Sequence, residues 1–238
     1  MLRSRQARFA AGLVLAFAAG GATAKGKLQT RPTLVELPPR AAASRFVMAN
    51  SGDSSVAAQV RVFAWSQEGG EDKLTPTDEV AISPPIAQIA AGAEQVVRVI
   101  RQAGPAVGAD RTYRLVVDEL PADKADDKST IAVRLRYVIP LFVRAAGAEP
   151  PDLTCRLGAA TLSCRNKGGQ AAQLGRTRLS DTKGHSVELN AGLFGYVLPL
   201  SERRWELVAG TLATLVGELR LESQVNGQPA TIPVERAL

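Results

Sequence analysis

The residues that could do chemistry are few, and a pair of adjacent carboxylates is the first candidate. Asp118 and Glu119 end an apolar run that predicts a β-strand. Because successive side chains of a strand point to opposite faces, the two carboxylates cannot act together on one substrate. The single histidine, His185, follows a glycine in a predicted loop, and no nucleophile turn or phosphate-cradling loop accompanies it. The sequence therefore predicts neither an enzyme nor a small-molecule substrate.

The N-terminus has the three parts of an export signal. A basic run is followed by an apolar stretch at 9–19 and by the small residues Ala22-Thr23-Ala24. This order predicts a secretory signal peptide, residues 1–24, that is cleaved after Ala24. A membrane anchor is the alternative, but the apolar stretch is too short to span a bilayer comfortably.

Cleavage of this signal would remove three arginines and no acid, so the formal net charge would fall from +6 to +3. The remaining basic residues are scattered singly, without the aromatic interleaving or Lys/Arg blocks that follow a phosphate backbone. The sequence therefore gives no support for a nucleic-acid partner.

Cys155 and Cys164 are the only cysteines. Between them, Gly158-Ala159-Ala160 predicts a turn, so the two side chains can face each other across a hairpin. Disulfides persist in exported proteins, and a disulfide is the expected chemistry. Zinc is the alternative, but nothing nearby supplies two further ligands. We expect no metal and no cofactor.

The length of 238 residues suits two domains of about 100 residues each. Apolar residues make up 45% of the chain and aromatic residues 5%, so aliphatic side chains must fill the cores. Short runs of Val, Ile and Leu alternate with turn-forming residues, which predicts an all-β fold of two sandwiches. The predicted strands lie at 33–37, 45–49, 57–65, 95–101, 112–119, 130–144, 153–157, 160–165, 171–179, 204–209, 214–221 and 231–234. A small-residue and proline segment at 145–151 predicts the linker, so the domains are expected at 25–146 and 147–238.

One predicted strand, 131–144, has an unusually regular alternation. Ile131, Val133 and Leu135 alternate with alanine and arginine, so one face of the strand is wholly apolar. An ordinary strand with one face on the core shows the same pattern. The alternation alone is therefore not specific for any function.

The order of several motifs adds a resemblance to a known family. The motifs are, along the chain, Phe46-Val47-Met48-Ala49-Asn50, the stretch 57–65 ending in Trp65, Ser83-Pro84-Pro85, the stretch 91–98, Tyr113-Arg114-Leu115 ahead of Glu119-Leu120-Pro121, Pro140-Leu141-Phe142-Val143, and Gly195-Tyr196-Val197-Leu198-Pro199 ahead of Trp205. In this order they resemble the periplasmic pilus-assembly chaperones of the chaperone-usher pathway, over nearly the whole mature chain. The stretches 113–121 and 137–143 are most similar to the archaic, sigma-type branch, whose subunits are spore-coat-U-like.

This resemblance implies two immunoglobulin-like domains in an L shape and a periplasmic chaperone. Subunits of such fibres lack their last strand, and the chaperone lends one of its own until an outer-membrane usher receives the subunit. Strand addition of this kind satisfies open sheet edges through backbone hydrogen bonds. The resemblance assigns the groove-filling positions to Ile131, Val133 and Leu135, with Tyr137 continuing the row. The expected partners are fimbrial subunits, the usher and, as a cap for the free strand, a second copy of the chaperone.

The family also anchors the terminal carboxylate of the subunit with basic residues in the cleft between the domains. This chain departs from the best-known branch: Leu34 stands near the position of its first-strand arginine, and Pro140 replaces the lysine of its last strand. Arg114 is the first candidate for the anchor, and Arg98 and Arg101 are the next. Each could equally be an arginine that points into solvent.

A secreted β-sandwich adhesin or scaffold is the alternative function, because fold alone does not decide function. The strand at 131–143 discriminates between the two. A chaperone leaves the edge of this strand accessible, whereas an adhesin buries it.

Overall fold

A computed structural model describes residues 27–121, 134–208, 210, 212 and 214–236. The predicted signal peptide and the predicted groove-filling residues Ile131 and Val133 lie outside these described residues. Within them the regular secondary structure consists only of β-strands, as the sequence predicts, and there is no helix. The strands are β1 (Leu28–Arg31), β2 (Val35–Leu37), β3 (Ala43–Asn50), β4 (Val56–Glu68), β5 (Glu71–Pro76), β6 (Val80–Ser83), β7 (Ile86–Ile89), β8 (Glu94–Arg101), β9 (Arg111–Glu119), β10 (Arg136–Val143), β11 (Leu153–Leu157), β12 (Thr161–Asn166), β13 (Ala172–Asp181), β14 (Ser186–Val197), β15 (Glu202–Glu206), β16 (Leu219–Val225) and β17 (Gln228–Arg236).

The first domain consists of two sheets packed face to face. One sheet has the order β1-β3-β8-β6, and the other has the order β2-β10-β9-β4-β5 with β7 also paired to β4. The first segment of the chain belongs to both, because β1 pairs antiparallel with β3 while β2 pairs parallel with β10. Strand β10 therefore lies next to the outermost strand of its sheet, and β2 covers it only at Leu141–Val143.

Alternation decides which side chains enter the core of the first domain. In β9, Tyr113, Leu115 and Val117 point inward and are almost completely buried. They pack against inward residues of the other sheet, among them Phe46 and Met48. Burial of each such side chain contributes about 1.5–3 kcal/mol, so period-two alternation is enough to select the inner face. The even-numbered side chains of β9 are left for the outer face, which meets the second domain.

The second domain is a single seven-stranded sheet of order β14-β13-β16-β17-β11-β12-β15. Its two edge strands approach each other: Phe194 of β14 stacks on Trp205 of β15, with ring centroids 4.6 Å apart. The sheet thus curls around its own core. Cys155 and Cys164 stand opposite each other in the β11–β12 hairpin and form a disulfide inside this core.

Two buried asparagines occupy equivalent places in the two domains. Asn50 ends β3 and Asn166 ends β12, and both are buried. Each Oδ1 accepts hydrogen bonds from the N–H two residues ahead and from the residue before its domain's first strand. Each Nδ2 donates to three carbonyl oxygens. A buried amide needs such partners, and the same solution occurs in both domains.

The structure adds strands that the sequence did not predict. The longest is β14, where half of the residues are exposed and only two are buried, so no apolar alternation marks it. Strand β5 is exposed at every position for the same reason. In the described part of the chain, no helix is long and apolar enough to cross a membrane.

Candidate functional site: an open strand edge beside a cationic cleft

Strand β10 has an open edge over half of its length. On one side it is fully paired with β9, from Arg136 opposite Asp118 to Val143 opposite Arg111. On the other side β2 reaches only as far as Leu141. Among the described residues, no strand pairs with this edge from Arg136 to Pro140.

The backbone groups on the open edge can be identified from the ladder. The carbonyl of Leu135 accepts the N–H of Glu119, so odd-numbered residues direct their backbone groups to β9. Even-numbered residues direct theirs to the other side, as the bond from the Arg144 N–H to the Leu37 carbonyl demonstrates. The N–H groups of Arg136 and Val138 therefore point to the open edge. Pro140 has no N–H, and an edge is where a sheet tolerates proline.

The side chains of this strand divide between two environments. Ile139 and Leu141 are buried in the core of the first domain. Tyr137 packs partly against the same core, and its hydroxyl donates a 2.5 Å hydrogen bond to the Leu28 carbonyl. Leu135 is 37% exposed although it lies in the same odd-numbered row. The odd-numbered side chains are therefore buried at Ile139, partly buried at Tyr137 and exposed at Leu135.

The outer face at the same end of the sheet is charged. Asp118 lies between Arg61, at 2.6 Å, and Arg136, and accepts hydrogen bonds from both. Burial acts to raise the pKa of the Asp118 carboxyl, but the two guanidinium groups hold it below its ordinary value. Arginine side chains therefore flank the open edge on its outer face.

At the opposite end of this face, an aromatic cluster joins the two domains. Trp65 and Phe142 of the first domain pack with Tyr196 and Leu198 of the second, and all four are nearly inaccessible. The ring centroids of Trp65 and Tyr196 are 5.4 Å apart in an edge-to-face arrangement. Such pairs are favourable beyond their buried area.

Arg114 lies in this cluster. Its Cζ is 3.5 Å from the centroid of the Trp65 ring and 5.3 Å from that of Tyr196. It stands directly opposite Pro140, the position where the lysine of the best-known branch is missing. The half-buried guanidinium forms no hydrogen bond or ion pair with any described residue. Burial lowers the pKa of this guanidinium, yet arginine stays charged at any physiological pH.

The chemistry of this group is anion binding. A guanidinium presents donors in a planar fork that matches a carboxylate, and both gain when water is partly excluded. The rings of Trp65 and Tyr196, which contact each other edge to face, both lie within cation–π distance of Arg114 and restrict where its guanidinium can move. The cleft is therefore equipped to receive one carboxylate.

The structure places the other two anchor candidates elsewhere. Arg98 and Arg101 belong to β8, in the four-stranded sheet of the first domain. Arg98 is exposed opposite Arg45, and Arg101 donates a hydrogen bond to the Pro39 carbonyl at 3.1 Å. Neither arginine belongs to the sheet that carries Arg114.

Sequence reasoning missed the residues that hold the two domains together at this cleft. The side-chain amide of Gln67 bonds the Tyr196 carbonyl and the Leu198 N–H, each at 2.9 Å. At the tip of the β4–β5 hairpin, the Gly70 carbonyl accepts the Arg204 N–H at 2.9 Å. Gly70 has φ +84°, and a Cβ there would lie 2.8 Å from the Cβ of Arg204. The segment Glu68-Gly69-Gly70 predicts a turn, but nothing in the sequence predicts this contact.

Away from the cleft, the polar groups have local roles. Asp181 accepts hydrogen bonds from the Lys183, His185 and Val216 N–H groups and from the ring of His185. In the part of the chain that the structure describes, no three His, Cys, Asp or Glu side chains come together as metal ligands would.

A protein-family model supports the relationship inferred from the motifs. The model of the pili and flagellar-assembly chaperone, PapD N-terminal domain, matches residues 27–149. Among curated protein sequences, none matches the chain.

Solved structures share the whole two-domain fold. A chain of the chaperone–tip subunit pre-assembly complex of the archaic chaperone-usher Csu pili of Acinetobacter baumannii has a TM-score of 0.70 at 23% identity, covering 89% of this chain and 100% of that one. A chain of the Salmonella enterica SafA pilin–SafB chaperone complex has a TM-score of 0.63 at 13% identity, with coverage of 89% and 97%. The E. coli chaperone DraB has a TM-score of 0.59 at 17% identity, with coverage of 88% and 97%. At these identities the likeness establishes the fold.

Proposed function

The chain belongs to the pili and flagellar-assembly chaperone family, and from this premise we propose that it is a periplasmic chaperone that lends strand β10 to fimbrial subunits. The subunit would occupy the open edge until an outer-membrane usher accepts it. The mechanism requires binding and release, and no catalytic step.

The observation that carries this proposal is the open edge of β10. A subunit without its last strand has two unpaired sheet edges and an apolar groove, and such edges aggregate. The outward N–H groups of Arg136 and Val138 are available to one of these edges. The residues proposed to fill the groove are Ile131, Val133, Leu135 and Tyr137.

The accessible edge also favours a chaperone over a secreted adhesin, which would bury it. Before a subunit arrives, the same edge is available to a second copy of the chaperone. Capping of this kind would protect the free protein from indiscriminate strand pairing.

We propose that Arg114 is the anchor for the terminal carboxylate of the subunit. Its charge is half-buried beside two aromatic rings and forms no salt bridge among the described residues, although the Asp72 carboxylate is near enough to act on its pKa. A carboxylate that enters the cleft would supply the missing partner and would itself be paired as it leaves water. The anchor would fix the register of the subunit along β10.

Proline substitution at Val138 tests the lent strand. Val138→Pro removes an N–H that points to the open edge and leaves the hydrogen bonds to β9 in place. Val138→Ala is the matched control, because it truncates the same side chain but keeps the N–H. Wild-type and variant chaperones with different tags would be co-expressed in the periplasm with one fimbrial subunit of the source organism, and the ratio of the two complexes measured.

Val138→Pro should lower its share of the complex about tenfold, since a hydrogen bond is lost and an acceptor of the subunit is left unpaired. Val138→Ala should compete nearly as well as the wild type. Equal competition by the proline variant would reject strand lending at this edge.

A further inference from the structure

The anchor proposed for this chaperone is built from both domains, and one side chain connects them. Trp65 and Gln67 are two positions apart in β4, so both point to the outer face of the sheet. Trp65 stacks against Arg114, and Gln67 bonds the strand of the second domain that carries Tyr196. Tyr196 is also the second aromatic group within cation–π distance of Arg114, 5.3 Å from its Cζ.

The geometry of Gln67 is that of an extra rung in a β-ladder. Its Nε2 donates to the Tyr196 carbonyl and its Oε1 accepts the Leu198 N–H, both at 2.9 Å. These two backbone groups lie on either side of Val197. In a parallel sheet, one residue bonds the carbonyl and the N–H on either side of its partner in the same way. Nε2 also donates to Asp72 at 2.9 Å, which fixes the orientation of the amide. Because its amide nitrogen and its amide oxygen are both hydrogen-bonded, Gln67 links the two domains in a defined geometry.

We propose that Gln67 is a positioning residue for carboxylate capture: it fixes Tyr196 of the second domain against Arg114 and so keeps the guanidinium in place for the carboxylate of the subunit. This inference rests on the proposed function, since it needs Arg114 to be the anchor. Without the two hydrogen bonds from Gln67, ring contacts with Trp65 and Phe142 would still hold Tyr196. The position of Tyr196 beside Arg114 would be less tightly fixed.

A double-mutant cycle tests the proposal. Gln67→Met keeps the length and packing of the side chain and removes the two hydrogen bonds to the second domain, together with the bond to Asp72. The variants Gln67→Met, Arg114→Met and the double variant would be measured in the tagged competition assay, with the fimbrial subunit that forms a stable complex with the wild-type chaperone. Gln88→Ala is the control, because Gln88 is an exposed glutamine of β7 outside the cleft.

Gln67→Met alone should lower the share of the complex about fivefold, less than the loss from removing the anchor itself. In the Arg114→Met background the same substitution should change the share less than about twofold, because the group that it positions is gone. The control should compete as well as the wild type.

Equal losses from Gln67→Met in both backgrounds would overturn the positioning role, since a general loss of stability adds to the loss of the anchor. No loss from Gln67→Met in the wild-type background would also overturn it. If Arg114→Met competes as well as the wild type, the anchor fails and the inference falls with it. Gln67→Leu, a second variant without hydrogen-bonding groups, repeats the cycle if the methionine variant does not fold.

Discussion

Arg114 is expected to contribute to capture and not to the stability of the free chaperone. Arg114→Met keeps an unbranched stem against Trp65 and removes the charge. The variant loses a cation–π contact at 3.5 Å, worth about 0.5–2 kcal/mol. It also no longer buries a charge that has no ion-pair partner among the described residues, which is favourable. Because the two effects oppose each other, the free energy of unfolding should change by less than about 1 kcal/mol.

Capture should respond much more strongly. A hydrogen bond to a charged group contributes about 1.5–3 kcal/mol, which corresponds to roughly a tenfold to 150-fold change in affinity. Arg114→Lys should lie between the wild type and Arg114→Met, because it keeps the charge but loses the planar fork. Urea denaturation of the free variants and the tagged competition assay measure the two quantities. A variant that loses stability and competes as well as the wild type would refute this reasoning.

Three further outcomes concern the scaffold. Replacing both Cys155 and Cys164 by serine should lower the free energy of unfolding by about 2–3 kcal/mol, as measured by urea denaturation, because the bond closes a loop with a separation of nine residues. Gly70→Ala should loosen the two domains, since its Cβ would meet Arg204 at a positive φ, and small-angle scattering should then record a larger radius of gyration; an unchanged radius would contradict this. Burial acts to raise the pKa of Asp181, but four hydrogen-bond donors hold it well below its ordinary value. A depressed pKa stabilises the fold above about pH 5 and progressively less in acid, so the advantage of the wild type over Asp181→Asn should shrink as the pH falls from about 5 to 3.

Alternation in the sequence was sufficient to predict the inner and outer faces of β9 and β10. The same rule that buries Leu115 places Arg114 on the outer face, and the structure agrees. The departure at Pro140 was also visible in the sequence. Its meaning required the register, which sets Arg114 directly opposite on the next strand.

The same alternation could not distinguish Arg114 from Arg98. Both arginines alternate with buried, largely apolar residues, so each points away from the core of the first domain. Which of the two outer faces meets the second domain depends on the packing of the domains. Local pattern does not contain that information, and for the same reason the contacts of Gln67 and Tyr196 were not foreseen.

Hydrogen exchange of the backbone along β10 tests the central claim most directly. In the free chaperone the N–H groups of Arg136 and Val138 point to the open edge and should exchange quickly, whereas those of Tyr137 and Ile139 are bonded to β9 and should be protected. If β10 is lent to a subunit, exchange at Arg136 and Val138 should slow by at least about tenfold in the purified complex, because each gains a strand hydrogen bond. Unchanged exchange at these two amides, with protection appearing on another strand, would contradict strand lending.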